Sequence, residues 1–261
     1  MQRLQSRTAE KVKALCRLRD SAKERAETGC FLAEGLRLCR DIAQYLPARE
    51  LYATEKMLAE HPELTALAAQ TFEISDAVAE KLSDTKTTQG VFALFERPAS
   101  LEHLRPGGRY LALEHVQDPA NLGALLRSAS AFGFEGVLLC SHCADWFSPK
   151  VLRAGMGAVA KLGYACYDDV GELAKALKAV NIPLYAAALE RAVSLEQAPA
   201  LTDAGLAVLI GNEGNGLTPE AVALADVTVR IPMMPNVESL NAAVAGSILL
   251  WHFRSLEGAA Q

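Results

Sequence analysis

From Arg109 onward the chain alternates short apolar runs with longer stretches whose apolar positions repeat at helical spacing. The runs predict strands at Tyr110–Glu114, Gly136–Cys140, Pro183–Leu189, Ala207–Ile210 and Val227–Ile231. The longer stretches predict helices at Asn121–Phe132, Pro149–Ala160, Val170–Val180, Pro219–Leu224 and Asn241–Leu256. Strands that alternate with helices form a mostly parallel sheet covered on both faces, with ligands at the carboxyl ends of its strands. The expected class is therefore α/β.

Upstream the pattern is shorter and less regular. Residues 7–26 predict a basic helix, and Phe31–Leu46 has apolar residues at helical spacing. Strands are expected at 50–56, 71–75 and Gly90–Phe95, and helices near Pro62–Gln70 and Asp76–Leu82. Pro98–Gly108, rich in Pro, Gly and polar residues, reads as a linker. The expected organisation is a small α/β domain over 1–97, the linker over 98–108 and a second domain over 109–261.

Composition narrows the class only a little. The 261 residues are 51% hydrophobic and 22% charged, as in ordinary globular proteins. No apolar run reaches membrane-spanning length, so no membrane association is expected. The opening MQRLQSRTAEKVK has no apolar signal core, and a cytoplasmic protein is expected. Six cysteines are irregularly spaced. Their one close pair, Cys140 and Cys143, flanks His142 but has no second ligand pair for zinc, and reads as small apolar side chains at a strand end. Net charge is −5, but residues 1–25 hold eight basic residues against three acidic ones. A basic arm on an acidic body suits a partner with phosphates, and equally suits a solvent-facing helix. Arg7, Lys11 and Lys13 are its candidate phosphate contacts.

Three segments after predicted strands carry candidate chemistry. In Asp118–Arg127, Asn121 opens the helix, as a possible cap, and Arg127 lies six residues further on. In Ile210–Leu217, three glycines bring backbone close to a ligand and frame Glu213. Their order is G-x-x-G-x-G, not the dinucleotide fingerprint, and no P-loop lysine follows. In Ile231–Ala245, a Pro- and Met-rich loop leads to a helix with Ser239 as a plausible cap.

Together, NLGALLR at 121–127, IGNEGNGL at 210–217 and IPMMPNVESLNAAVA at 231–245 resemble the three signature motifs of the SpoU (TrmH-like) branch of the SPOUT RNA methyltransferases. The resemblance spans about 107–257. Upstream, SRTAEKVKALCRL, GCFLAEGLRL and SDTKTTQGVFAL resemble the family's L30e/L7Ae-like substrate-binding domain. It implies a trefoil knot in the C-terminal domain, S-adenosyl-L-methionine as cofactor, RNA, ribosomal by preference, as partner, and a homodimer. The implied reaction methylates a ribose 2′-hydroxyl and requires no metal. By position, the resemblance implies cofactor contacts at Leu209, Gly211, Ile231, Met233 and Leu240. It places Asn121, Arg127, Glu213, Ser239 and Asn241 in the catalytic site. A guanidinium holds its proton far above neutrality. Arg127 is therefore expected to hold an RNA phosphate and stabilise the developing alkoxide, with proton removal left open.

Overall fold

The structure is a computed structural model and describes residues 2–188, 192–198 and 205–254. It divides into two compact units. One comprises residues up to Ala99 together with Asp145–Lys161; the other comprises Ser100–Ala144 and the residues from Leu162 onward. The chain boundary thus falls at the start of the expected linker, but 145–161, expected in the second domain, groups with the first.

In the first unit β1 (Gln2–Leu4) leads to α1 (Glu10–Asp20), α2 (Ala22–Thr28), β2 (Cys30–Glu34), α3 (Leu36–Ala43), β3 (Ala48–Thr54) and α4 (Glu55–Glu60). A 3-10 turn over Pro62–Leu67, β4 (Ala68–Ile74), α5 (Asp76–Leu82) and β5 (Val91–Glu96) follow. The strands order as β1-β4-β3-β5-β2; the first three run parallel, and β5 runs antiparallel to both its neighbours. Val12, Leu15 and Leu18 of α1 pack with Val78 and Leu82 of α5 over Leu32, Tyr52, Phe72 and Phe92.

Three expectations change here. The basic helix is broken at Ser21, whose side chain caps α2 through the Glu24 amide. Phe31–Leu46 is not one helix: its apolar start is the buried strand β2, and the chain turns at Gly35, with φ +104, before α3. The stretch at Pro62–Gln70 gives only the 3-10 turn before β4 begins.

Residues 145–161 complete this unit. Phe147 packs its ring 5.0 Å from Phe31, which stacks in turn on Phe95. The buried Arg25 donates to the carbonyls of Leu18 and Arg19 and, at 2.7 Å, to Asp145.

In the second unit β6 (Arg109–Glu114), α6 (Pro119–Ala131) and β7 (Gly136–Cys140) precede that excursion, which contains α7 (Pro149–Gly155). After it come β8 (Gly163–Tyr167), α8 (Val170–Ala179), β9 (Leu184–Ala187), β10 (Val193–Ser194) and β11 (Leu206–Ile210). The order closes with α9 (Pro219–Leu224), β12 (Val227–Arg230) and α10 (Ala242–His252). The seven strands order as β10-β12-β9-β11-β6-β7-β8, and every pairing is parallel. The parallel sheet expected from the alternation is present; β8 and β10 extend it beyond the predicted strands. Leu189, at the end of one predicted strand, and Leu256, at the end of the last predicted helix, lie outside the described residues.

Candidate active site

The three loops after β6, β11 and β12 meet at the carboxyl edge of the sheet, and hydrogen bonds tie them together. Glu114, buried at the end of β6, accepts from the Thr218 amide at 2.9 Å and its hydroxyl at 2.7 Å. That fixes the exit of the glycine-rich loop beside β6. Asn212 donates to the His115 carbonyl at 2.9 Å. Gly211 starts the loop at a point where a Cβ would collide with the backbone of Gly216 and Leu217, so a side chain there would force the turn open.

Glu213 reaches back to the start of α6. It accepts from the Asp118 amide at 3.1 Å, Asn121 Nδ2 at 3.2 Å and Asn212 Nδ2 at 3.3 Å. Asn121, buried on α6, accepts in turn from Asn241 Nδ2 at 3.0 Å. Asn241 Oδ1 accepts from the amides of Ala243 and Val244, capping α10. One continuous chain, Glu213–Asn121–Asn241, therefore joins all three loops. The caps differ from the sequence reading. Asp118, not Asn121, caps α6 through the Ala120 amide, because Pro119 takes the first helical position. Asn241, not Ser239, caps α10, which leaves Asn121 and Asn241 side chains available to each other.

Burial disfavours the charged form of Glu213. Hydrogen bonds from its own amide, Asn121 and the amides of Asp118 and Gln117 outweigh it and hold the carboxyl below its ordinary range. A carboxylate so stabilised is a weak base and orients rather than abstracts. Its contribution to stability is complete above the ordinary carboxyl range and is lost as pH falls through the lowered value. Glu213→Gln is therefore expected to melt below the wild type at pH 7, with the gap closing below about pH 4. Thermal melts from pH 3 to 7 check this.

Beside this chain lies a cleft of about 1010 Å³. Gly211, Glu213, Ile231, Met233, Ser239 and Leu240 line it, with Val222 and Leu249 adding apolar surface. Leu209 does not line it. That residue is fully buried on central strand β11, paired on both edges, and belongs to the sheet core. Arg230, unmarked by sequence reasoning, also lines the cleft. Its signal was its position, directly before Ile231.

Arg127 is not part of the linked chain. It is exposed, and among the described residues its side chain makes no hydrogen bond or ion pair. At 100° per residue, six residues turn it about 120° away from Asn121 and align it with Ala120. Ala120 and Ala124 line a separate apolar groove of about 570 Å³ with Phe132, Val244, Ile248 and Trp251.

The expected phosphate contacts of the first unit are largely engaged. Lys11 pairs with Glu50 at 2.7 Å and lies over the Phe72 ring. Lys13 pairs with Glu10, while Arg7 approaches Glu80 at 3.8 Å and stays half exposed. Part of the local positive charge is answered by acids far along the chain, at Glu50, Glu73, Glu80 and Asp145, which a count over 1–25 does not register. At the strand end Cys140 and Cys143 both donate to the Leu113 carbonyl, and burial pushes their thiols up to about 12 and about 11. Among the described residues no group of three or more His, Cys, Asp and Glu could hold a metal ion, and no helix is long and apolar enough to cross a membrane.

The family description SpoU rRNA Methylase matches residues 108–251, and MRM3-like substrate binding domain matches 9–93. The chain is 30% identical over 259 residues to the 23S rRNA (guanosine(2553)-2'-O)-methyltransferase RlmP of Bacillus subtilis (strain 168), covering 97% of this chain and 100% of that protein. It is 30% identical to the mitochondrial rRNA methyltransferase 3 of Homo sapiens, across 91% of this chain and 70% of the relative. An AdoMet-bound rRNA methyltransferase from Sinorhizobium meliloti superposes with a TM-score of 0.86 at 28% identity, covering 100% of this chain and 99% of that one.

Proposed function

The chain belongs to the SpoU rRNA methylase family, and we propose that it transfers a methyl group from S-adenosylmethionine to a ribose 2′-hydroxyl of ribosomal RNA. The observation that carries this reading is the Glu213–Asn121–Asn241 chain standing beside a cleft of ligand size. The cleft suits the cofactor: Ile231, Met233 and Leu240 offer apolar surface for an adenine and a thioether, and Gly211 admits close backbone approach. When bound, the cofactor supplies an activated methyl on a sulfonium.

The residues of this chain then have to hold the ribose oxygen in line and stabilise charge on it. Asn121 and Asn241 are locked by each other and by Glu213, so their free polar edges are pre-oriented. Ser239 lines the cleft with its hydroxyl unbonded among the described residues, where it can position the ribose. Arg127 holds a phosphate and stabilises the developing alkoxide. The first unit selects the RNA, with Arg7 and Lys13 contributing phosphate contacts.

A homodimer supports this arrangement. Val244 and Trp251 are about half exposed on α10, at 49% and 52%, and line the apolar groove beside α6. Exposed apolar surface of this kind on a soluble protein favours association. A second copy lying in the groove covers the α6 face of Ala120 and Ala124, with which helix geometry aligns Arg127. Replacing Val244 with Asp and Trp251 with Glu together is expected to give a monomer by light scattering; an unchanged dimer mass contradicts this interface.

The reaction itself is tested with methyl-labelled S-adenosylmethionine and ribosomal RNA. Digestion to nucleosides is expected to place the label on a 2′-O-methyl ribose. Label on a base would refute the assignment.

A further inference from the structure

We propose, resting on the S-adenosylmethionine reading of the cleft, that Arg230 receives the carboxylate at the methionine end of the cofactor. A carboxylate leaving bulk water requires hydrogen-bond donors, charged ones above all. The glycine-rich loop is the obvious source, but most of its amides are already used. Gly214 and Asn215 donate to Asn212 Oδ1 at 2.9 and 3.0 Å. The amides of Asn212 and Gly216 donate to each other's carbonyls, both at 3.0 Å. The Thr218 amide and hydroxyl donate to Glu114. The loop therefore closes on itself and presents no cluster of free amides to an anion.

The charged side chains on the cleft point the same way. They are Glu213, Asp226 and Arg230. Glu213 is held by the site's own donors, and Asp226 accepts from the Leu184 amide at 2.8 Å. Both acids would repel a carboxylate. Arg230 is the one cation lining the cleft among the described residues; it is exposed and its side chain makes no hydrogen bond or ion pair with any of them. It closes β12, paired in register with Ser194 and one residue before Ile231. That is the carboxyl end of a strand, where parallel sheets receive ligands. A guanidinium fork also matches a carboxylate with two parallel N–H groups.

Calorimetry with two ligands tests this. S-adenosylmethionine carries the carboxylate; 5′-methylthioadenosine keeps the adenosine and thioether but lacks the amino-acid end. Arg230→Gln is expected to raise the Kd for S-adenosylmethionine about tenfold or more, while the Kd for 5′-methylthioadenosine stays within twofold. Arg230→Lys, which keeps the charge but not the fork, is expected to fall between. A glutamine variant that holds S-adenosylmethionine within twofold of the wild type would overturn the proposal. Equal loss of both ligands would overturn it too, since Arg230 would then shape the cleft rather than read the carboxylate. Wild-type protein that binds neither ligand would instead overturn the cofactor reading itself.

Discussion

Replacing Arg127 with alanine is expected to slow methyl transfer about 10²–10³-fold, the usual cost of removing one donor aimed at developing negative charge. The same variant is expected to keep its melting temperature and its Kd for S-adenosylmethionine. The separation follows from position. Arg127 is exposed, its side chain bonds to nothing among the described residues and it lies outside the cleft, so neither the fold of one chain nor the cofactor depends on its guanidinium. Single-turnover rates with saturating RNA, beside thermal melts and calorimetry, separate the three quantities. Wild-type turnover would remove Arg127 from the reaction. A melting temperature lowered by several degrees would make it a structural residue.

The second large effect concerns stability. Asp145→Ala is expected to destabilise the first unit by about 3 kcal/mol, because it leaves the buried Arg25 guanidinium without its counter-charge. Asp145→Asn, which keeps an acceptor, is expected to lose less. Urea unfolding measures both; equal midpoints for wild type and alanine variant would contradict the account. The same packing decides what truncation does. A cut at residue 97 reads from the sequence as a clean domain boundary. It would strip the cover from Phe147, Val151 and Leu152, each 1% exposed or less, because 145–161 belongs to the first unit. Each such side chain is worth about 1.5–3 kcal/mol of burial. Residues 98–261 alone are therefore expected to aggregate on size-exclusion chromatography. A soluble fragment that binds cofactor would refute this.

Much of the molecule was legible because the signals were local. Apolar runs between helical stretches gave the parallel sheet, and three motifs at strand ends gave the linked side chains Asn121, Glu213 and Asn241 and most of the cleft. What escaped depends on partners distant in sequence. Short β1 and β10 exist through pairing with β4 and β12, which no window of residues displays. Phe31–Leu46 has helical spacing, yet its start is buried against β5, and tertiary pairing overrides the local pattern. Lys11 reads as a phosphate ligand until Glu50 and Phe72 come beside it. Ser239 and Asn241 are both sound N-cap residues, and the bond that Asn241 donates to Asn121 accompanies the choice. Arg230 carried no sign in the sequence beyond its place directly before Ile231; the contents of the cleft around it mark it out.

Methylation of a ribose 2′-hydroxyl in ribosomal RNA leaves a direct mark. It is read by mapping 2′-O-methyl positions in total RNA from cells with and without the protein, by resistance of the backbone to alkaline cleavage. The account predicts that a defined ribosomal RNA position loses its methyl group when the protein is absent, and that wild-type protein but not Arg127→Ala restores it. An unchanged ribosomal map, or a loss confined to transfer RNA, would contradict it.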